Sequence, residues 1–243
     1  MAYQDSSSVG TSHIIKSSPA GLLGLTKWTW SFWIKPTGTA PAFFTYIFSC
    51  GSIGNVVLST HGTGERSVFV NTANKLEVYV DYVTTDLQYI TTDTLTNAWQ
   101  YFCIRVQAGA CTIFRGTLTT APVEVSYATA TNGVGTIVAE TGSYVTLGAG
   151  NQLNTGTFGG GIDAPLFDFA MYAVTVVSPN NTWRTAPSKL QIGSNNLNLW
   201  WRLNEAVSGT GLPVIMDYSY RGNHGTTAAS ALWTSNPPLP MMP

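Results

Sequence analysis

Acidic residues are the first candidates for chemistry, because hydrolysis of a glycosidic bond with retention needs two carboxyl groups about 5 Å apart. The chain has 12 Asp and Glu residues, and no two lie two residues apart, the spacing that places neighbours on one strand face. Glu77 and Asp81 share a predicted strand face, but their spacing corresponds to roughly 13 Å. We therefore predict that the protein is not an enzyme. A carboxylate pair assembled from different strands is the alternative that the sequence leaves open.

Histidine offers no nucleophilic or zinc chemistry in this sequence. The three histidines are His13, His61 and His224, and none belongs to a G-x-S-x-G turn or to a Cys/His cluster. We predict that His13 and His61 are surface residues and that His224 braces a loop.

Two aspartates, Asp163 and Asp217, stand in glycine-rich loops. Backbone carbonyls there could join a carboxylate around a hard cation, which would make a structural calcium ion the one cofactor to consider. The alternative is that each aspartate braces its own turn by accepting backbone N–H hydrogen bonds. We favour the second interpretation and predict no cofactor.

Adjacent tryptophans could supply a platform for a sugar ring. Trp200 and Trp201 lie in a predicted strand, so one must point into the core and the other away from it. Together with Asp217, Asn223 and His224 of the following loop, they form the carbohydrate-binding site that we predict. The alternative is that loops or another subunit cover both sheet faces.

The elements that would position these residues are short strands. Residues 28–36 alternate strictly, with Trp28, Trp30, Phe32 and Ile34 on one side, which predicts a strand with one buried face that ends at Pro36. Many further short strands, with turns every eight to twelve residues, are typical of a sandwich. The predicted fold class is all-β, an antiparallel jelly-roll β-sandwich with little helix.

Composition excludes several functional classes. Only 9% of the 243 residues are charged and the formal net charge is -1, without a basic run, so we expect neither nucleic acid nor a membrane as partner. The first residues lack the pattern of a secretory signal. Reduced thiols and synthesis in a cytoplasm fit the three cysteines, Cys50, Cys103 and Cys111.

Four ordered segments resemble the concanavalin A-like lectin/glucanase superfamily in its laminin-G-like form. Residues 29–36 resemble the family's T-x-S-x-W-x-K-P strand, and residues 97–102 resemble its central strand, with the tryptophan at position 99. Residues 147–163 resemble its G-x … F-x-G-x-I-D segment, and residues 201–225 resemble its W-x-L-x-E … D-x-S element. The resemblance implies a lectin-like sandwich that includes both the Trp28 strand and the Trp201 strand. A glycanase of this superfamily would be expected to carry an E-x-D-x-E strand, which this sequence lacks.

The resemblance also implies a biological setting, because similar laminin-G-like pieces are common in structural proteins of tailed phages. We predict an N-terminal arm and edge strand at residues 1–24, a laminin-G-like sandwich at 25–235 and a proline-rich tail at 236–243. The expected role is capsid decoration on the virion after synthesis in the host cytoplasm. The major capsid protein and copies of the chain itself would be its partners, and a cell-surface glycan is a further ligand to consider. A tail adhesin and a secreted carbohydrate-binding module are the alternatives.

Overall fold

The computed structural model describes residues 2–4, 13–54, 60–140, 144–152, 157–161, 164–174, 196–203, 214–219, 221–228 and 232–234. These residues form two large antiparallel sheets and a two-stranded ribbon, and they contain no helix. They therefore include no helix that could cross a membrane. The predicted all-β sandwich is confirmed.

The first sheet, sheet A, has the strand order β10-β9-β8-β3-β15-β1-β19, and β16 also pairs with β15. Its strands are β1 (Ala2–Gln4), β3 (Lys27–Ile34), β8 (Gln100–Gln107), β9 (Ala110–Thr117), β10 (Val123–Glu124), β15 (Leu166–Tyr172), β16 (Leu197–Trp201) and β19 (Leu232–Thr234).

The second sheet, sheet B, has the strand order β11-β7-β6-β5-β4-β12-β2-β18-β17. Its strands are β2 (His13–Ser17), β4 (Thr45–Cys50), β5 (Arg66–Val70), β6 (Leu76–Val80), β7 (Leu87–Thr91), β11 (Tyr127–Thr131), β12 (Tyr144–Leu147), β17 (Val214–Ile215) and β18 (Gly225–Ala228). The ribbon pairs β13 (Gly150–Gln152) with β14 (Thr157–Gly159).

Strand β3 lies at the centre of the core between the sheets. Trp28, Trp30 and Phe32 are fully buried there, and the ring of Trp30 lies 5.3 Å from that of Phe48 on sheet B. The alternation therefore predicts correctly which side chains enter the core. The prediction of only one buried face is wrong, since Trp33 on the opposite face is also fully buried.

Strand β16 is part of the sandwich, as predicted, because it pairs along β15. Strand β2 differs from the prediction: it pairs with β12 on one side and β18 on the other, so it is an internal strand and not an edge strand. His13 on this strand is buried, because the neighbouring strands enclose it, so its prediction as a surface residue is wrong. The proline-rich tail at 236–243 lies outside the described residues.

All three cysteines are buried and none forms a disulfide. Burial in apolar surroundings disfavours the thiolate and raises the pKa of Cys103 to about 12. The pKa values of Cys50 and Cys111 are raised for the same reason. Thiols in this state pack as small apolar side chains and are poor nucleophiles.

Candidate functional site

The two adjacent tryptophans point to opposite faces of sheet A, but neither ring is open to a ligand. Trp201 is fully buried between the sheets, where its Nε1 donates to the carbonyl oxygen of Asn223 at 2.9 Å. Trp200 is 4% exposed on the outer side, and its Nε1 donates to Oδ1 of Asp168 at 2.6 Å. The exposure on which the predicted sugar platform depended is therefore missing.

Trp200 belongs to an apolar layer on the outer face of sheet A. This outer cluster contains buried residues from four neighbouring strands and the segments beside them: Trp33, Trp99, Tyr101, Cys103, Ala170, Tyr172, Leu197 and Trp200. These side chains are already buried within the chain. They therefore fit the alternative stated above, in which both faces of the sheet are covered, better than they fit a sugar platform.

Asp217 and Asn223 are brought together, and they act as braces of the loop. Each carboxylate oxygen of Asp217 accepts two hydrogen bonds. Oδ1 accepts from the backbone N–H groups of Trp200 and Ser219. Oδ2 accepts from Ser219 Oγ and from the backbone N–H of Asn223. The amide of Asn223 accepts from the N–H of Ala20 and donates to its carbonyl oxygen, so it ties this loop to the segment before β3.

His224 is exposed, and its Nδ1 accepts a hydrogen bond from the backbone N–H of Asp217 at 3.1 Å. This contact matches its predicted role as a brace. One exposed imidazole does not by itself form a carbohydrate site.

The donor set around Asp217 does not fit a calcium ion. Calcium takes six to eight oxygen ligands, whereas both oxygens of this carboxylate are occupied by N–H and O–H donors. Among the described residues, no group of three or more His, Cys, Asp or Glu side chains could hold a metal. Asp163, the other predicted ligand, lies outside the described residues.

The sequence did not single out Asp168, which occupies an irregularity in β15. The register against β3 shifts between Phe167 and Ala170, and Asp168 has a φ of 56°, in the left-handed region. Burial raises its pKa to about 6, although the hydrogen bond from Trp200 and the charge of Arg202 oppose this effect. A bulge of this kind re-aims a side chain, here into the outer cluster.

A second group of side chains stands on the outer side of sheet B, away from the core. We define the Tyr79 face as five residues on the adjacent strands β4 to β7: Tyr46, Phe69, Glu77, Tyr79 and Gln88. Antiparallel pairing places Tyr46 beside Phe69, Phe69 beside Glu77, and Tyr79 beside Gln88. Such cross-strand neighbours touch because opposite Cβ atoms lie about 5 Å apart.

His61, from the connection between β4 and β5, lies flat on this face. Its ring is parallel to that of Tyr79, with centroids 3.5 Å apart and an interplanar angle of 4°. The rings of Phe44 and Phe69 each lie 5.6 Å from it. The imidazole is half-buried among three aromatic rings, so the prediction of His61 as an ordinary surface residue is wrong.

Two buried carboxylates flank the imidazole edge. Nδ1 of His61 lies 3.5 Å from Oε1 of Glu65, and its Nε2 lies 3.8 Å from Oε1 of Glu77. We call the space bounded by Tyr79, Phe44, Phe69, Glu65 and Glu77 the His61 cradle. Nδ1 is buried and accepts or donates no hydrogen bond, so the ring is held mainly by stacking.

The two carboxylates are supported by uncharged donors. Glu65 accepts hydrogen bonds from Gly62 N at 2.7 Å and from Ser67 Oγ at 2.5 Å. Glu77 accepts from Asn71 Nδ2 at 2.9 Å and from Gln88 Nε2 at 2.7 Å. In the part of the chain that the structure describes, His61 is the one basic side chain within ion-pair distance of either carboxylate.

The tyrosines of this face are held as neutral phenols. The pKa of Tyr46 is raised, first by burial and then by the charge of Glu65. Burial also raises the pKa of Tyr79, whose hydroxyl donates to Oδ2 of Asp86 at 2.7 Å. Tyr79 is thereby fixed as a rigid aromatic floor.

A cleft of about 670 Å³ lies elsewhere, between the β8–β9 turn and residues 133–140. The charged side chains at its lining, Arg66 and Glu140, already pair with each other at 2.6 Å, and Arg66 also covers the ring of Trp28. The cleft therefore has no free charge among the described residues to select a ligand.

Sequence spacing concealed the His61 cradle because its residues come from two connecting loops and two strands. The available signal was the pair Glu77 and Tyr79, which lie two residues apart in a strand whose other side chains are all apolar. A carboxylate and an aromatic ring on the same outer face are a common arrangement in binding sites.

Comparisons with solved structures agree with this fold. A protein from Bacteroides ovatus described as carbohydrate-binding superposes with a TM-score of 0.62 at 14% identity, over 95% of this chain and 58% of its own. The heptameric SAP-like pentraxin from Limulus polyphemus gives 0.51 at 16% identity, over 91% of this chain and 95% of its own. No family profile and no curated protein matches the sequence.

A phage protein shares the fold as well. The enzymatically active domain of tailspike protein 2 from bacteriophage CBA120 gives a TM-score of 0.50 at 11% identity, over 80% of this chain and 29% of its own. The chain thus spans little more than half of the Bacteroides protein and less than a third of the tailspike domain. These likenesses show a shared fold, the two-sheet antiparallel β-sandwich.

Proposed function

We propose that this chain is a non-enzymatic, lectin-like protein of a phage particle surface and that it binds glycan through the Tyr79 face. Tyr79 is 7% exposed and is buried like Trp200, but the ring that lies on it is one half-buried side chain, that of His61. The observation that carries the proposal is the parallel stack of His61 on Tyr79 at 3.5 Å. It marks an aromatic floor, flanked by two carboxylates, that holds one flat ring. Aromatic walls with a few oriented polar groups are typical of small-ligand sites.

Two of the structural comparisons support the proposal. The Bacteroides ovatus protein is described as carbohydrate-binding and the tailspike belongs to a phage. Their identities to this chain are 14% and 11%, so the shared fold makes glycan binding and a phage setting reasonable hypotheses to test.

The surroundings of the carboxylates support binding over hydrolysis. A glycosidase needs one carboxyl group that reaches the leaving oxygen and a second that reaches the anomeric carbon or a water. Glu65 and Glu77 are at most 2% exposed, and each already accepts two hydrogen bonds. They are better suited to fix the position of a bound group than to exchange protons with a substrate.

For the position on the particle, we propose decoration of the outer capsid, with the major capsid protein and further copies of the chain as partners. Low charge, 9% of the residues, suits a protein that rests against other protein surfaces. A tail adhesin is the second candidate, which the likeness to the tailspike domain favours.

Deletion of the gene from the phage distinguishes a capsid decoration protein from a tail adhesin. Capsid decoration predicts particles that lose mass from the capsid surface in electron micrographs and that break at lower temperature. Unchanged capsids together with lost attachment to host cells would contradict decoration and would leave the adhesin.

Glycan binding itself is tested on a glycan array. The intact protein should bind a defined subset of glycans, and Tyr79→Leu should bind them about 3- to 10-fold more weakly because it keeps the apolar bulk but loses the aromatic floor. His224→Ala serves as the control, since it alters the exposed loop that contains Asp217 and should bind like the wild type. No glycan bound by the intact protein, or loss of binding in the control alone, would contradict the proposal.

A further inference from the structure

The His61 cradle has the features of a site for a cation attached to a ring. Aromatic rings attract a cation placed over their faces, and cages of several rings are used to recognise organic ammonium groups. Here three rings surround one imidazole, and two carboxylates point at its edge. Every other donor to these carboxylates is neutral.

The His61 side chain forms the outer wall of the cradle. The backbone on both sides is fixed, because a Cβ at Gly62 would lie 2.1 Å from the carbonyl oxygen of Ser52 and one at Gly54 would lie 2.1 Å from that of Thr60. The His61 side chain itself is 19% exposed, whereas Glu65 behind it is fully buried. A ligand would reach Tyr79 if the His61 side chain alone turned outward.

From these contacts we infer that His61 is an internal stand-in for the ligand and that the ligand is a sugar with a free, protonated amino group. The apolar face of the pyranose ring replaces the imidazole on Tyr79. The ammonium group takes the place of the imidazole edge between Glu65 and Glu77. This inference rests on the proposed glycan binding and specifies the class of glycan.

The chemistry disfavours neutral and acidic sugars. An N-acetylated or unsubstituted sugar would bring no cation to the two buried carboxylates, and an acidic sugar would add a third negative charge. Buried charge without a partner is costly. An amino sugar places an ammonium group beside both carboxylates.

Calorimetric titration with three oligosaccharides of equal length tests the inference: a chitosan tetrasaccharide with free amines, its fully N-acetylated counterpart, and cellotetraose. The wild type should bind the chitosan tetrasaccharide at least about 10-fold more tightly than the other two, since ion pairs with two buried carboxylates favour the amine. His61→Ala should bind it about 10-fold more tightly than the wild type does, because the internal competitor is gone.

Glu65→Gln separates charge from shape. The amide can still accept from Gly62 N–H and donate to Ser67 Oγ, so the variant should fold normally and lose the preference for the free amine. His224→Ala, which changes a histidine outside the cradle, should behave like the wild type in every titration.

The outcomes that overturn the inference differ from those that overturn the proposed function. Binding of the N-acetylated or neutral oligosaccharide as tightly as chitosan, with sensitivity to Tyr79→Leu, would overturn the amino-sugar class and leave glycan binding intact. Weaker binding by His61→Ala would overturn the role of His61 as a stand-in. No binding of any oligosaccharide by either the wild type or His61→Ala would overturn the inference and the proposed function together.

Discussion

At the scale of single residues, Asp168 is the carboxyl group whose ionisation bears most directly on stability. Its backbone has a φ of 56° and its side chain is buried against Trp200. Backbone strain and a buried charge both cost free energy, and the hydrogen bond from Trp200 offsets part of that cost.

The raised pKa of Asp168 predicts the direction of a pH effect. The pKa is about 6 in the folded chain against an ordinary 3.8, so the folded state binds the proton more tightly than the unfolded state does. The contribution of this group to stability is therefore full below about pH 4 and is lost as the pH rises through 6. The loss corresponds to about 3 kcal/mol for a shift of this size.

Asp168→Asn should remove this dependence, because asparagine stays neutral, still accepts from Trp200 Nε1 and tolerates a positive φ. Urea unfolding from pH 4 to 8 should show a flatter profile than the wild type and a gain of about 1–3 kcal/mol at pH 8. Asp93→Asn, at a side chain that is 81% exposed, is the control and should leave the profile unchanged. If the free energy of unfolding changed with pH by the same amount in Asp168→Asn and in the wild type, the pH effect could not come from Asp168.

At the scale of elements, strand β16 shows why the predicted sugar platform failed. Its two tryptophans alternate in and out of the sheet as a strand requires, but both sides are covered. Alternation in one strand identifies the two faces and contains no information about what lies over each of them.

Trp201→Ala should therefore act on stability. The fully buried ring packs 6.5 Å from Phe169 and bonds to the Asn223 carbonyl, so its removal leaves a cavity and an unpaired acceptor. The free energy of unfolding should fall by about 3–5 kcal/mol in denaturant titration. Val83→Ala, at a side chain that is 68% exposed, should change it by less than about 0.5 kcal/mol. An unchanged midpoint for Trp201→Ala would contradict its placement in the core.

At the scale of the whole molecule, the sandwich could be predicted because its core depends on local alternation. The inward residues of β3 are those that the pattern selects, and the ordered motifs place β16 in the same sandwich. The His61 cradle could not be predicted, since it needs a loop residue brought onto two strands. Glu65 and Glu77 meet at one imidazole only after β5 and β6 have paired.

The loop from Asp217 to His224 shows a second limit of prediction from sequence. Its polar residues read equally well as ligands or as braces, because oxygen atoms that bind a sugar or an ion also accept N–H groups of a turn. Only the three-dimensional hydrogen bonds decide between them, and for Asp217 they occupy both carboxylate oxygens.

The central claim is that glycan binds on the Tyr79 face and away from the tryptophans of β16. Chemical-shift mapping of the ¹⁵N-labelled protein during titration with the chitosan tetrasaccharide tests this claim most directly. The account predicts saturable shifts at the backbone amides of His61, Glu77, Tyr79 and Gln88, with those of Ser219, Asn223 and His224 unchanged. Shifts confined to the loop that contains Ser219 and His224, with the Tyr79 face silent, would contradict it.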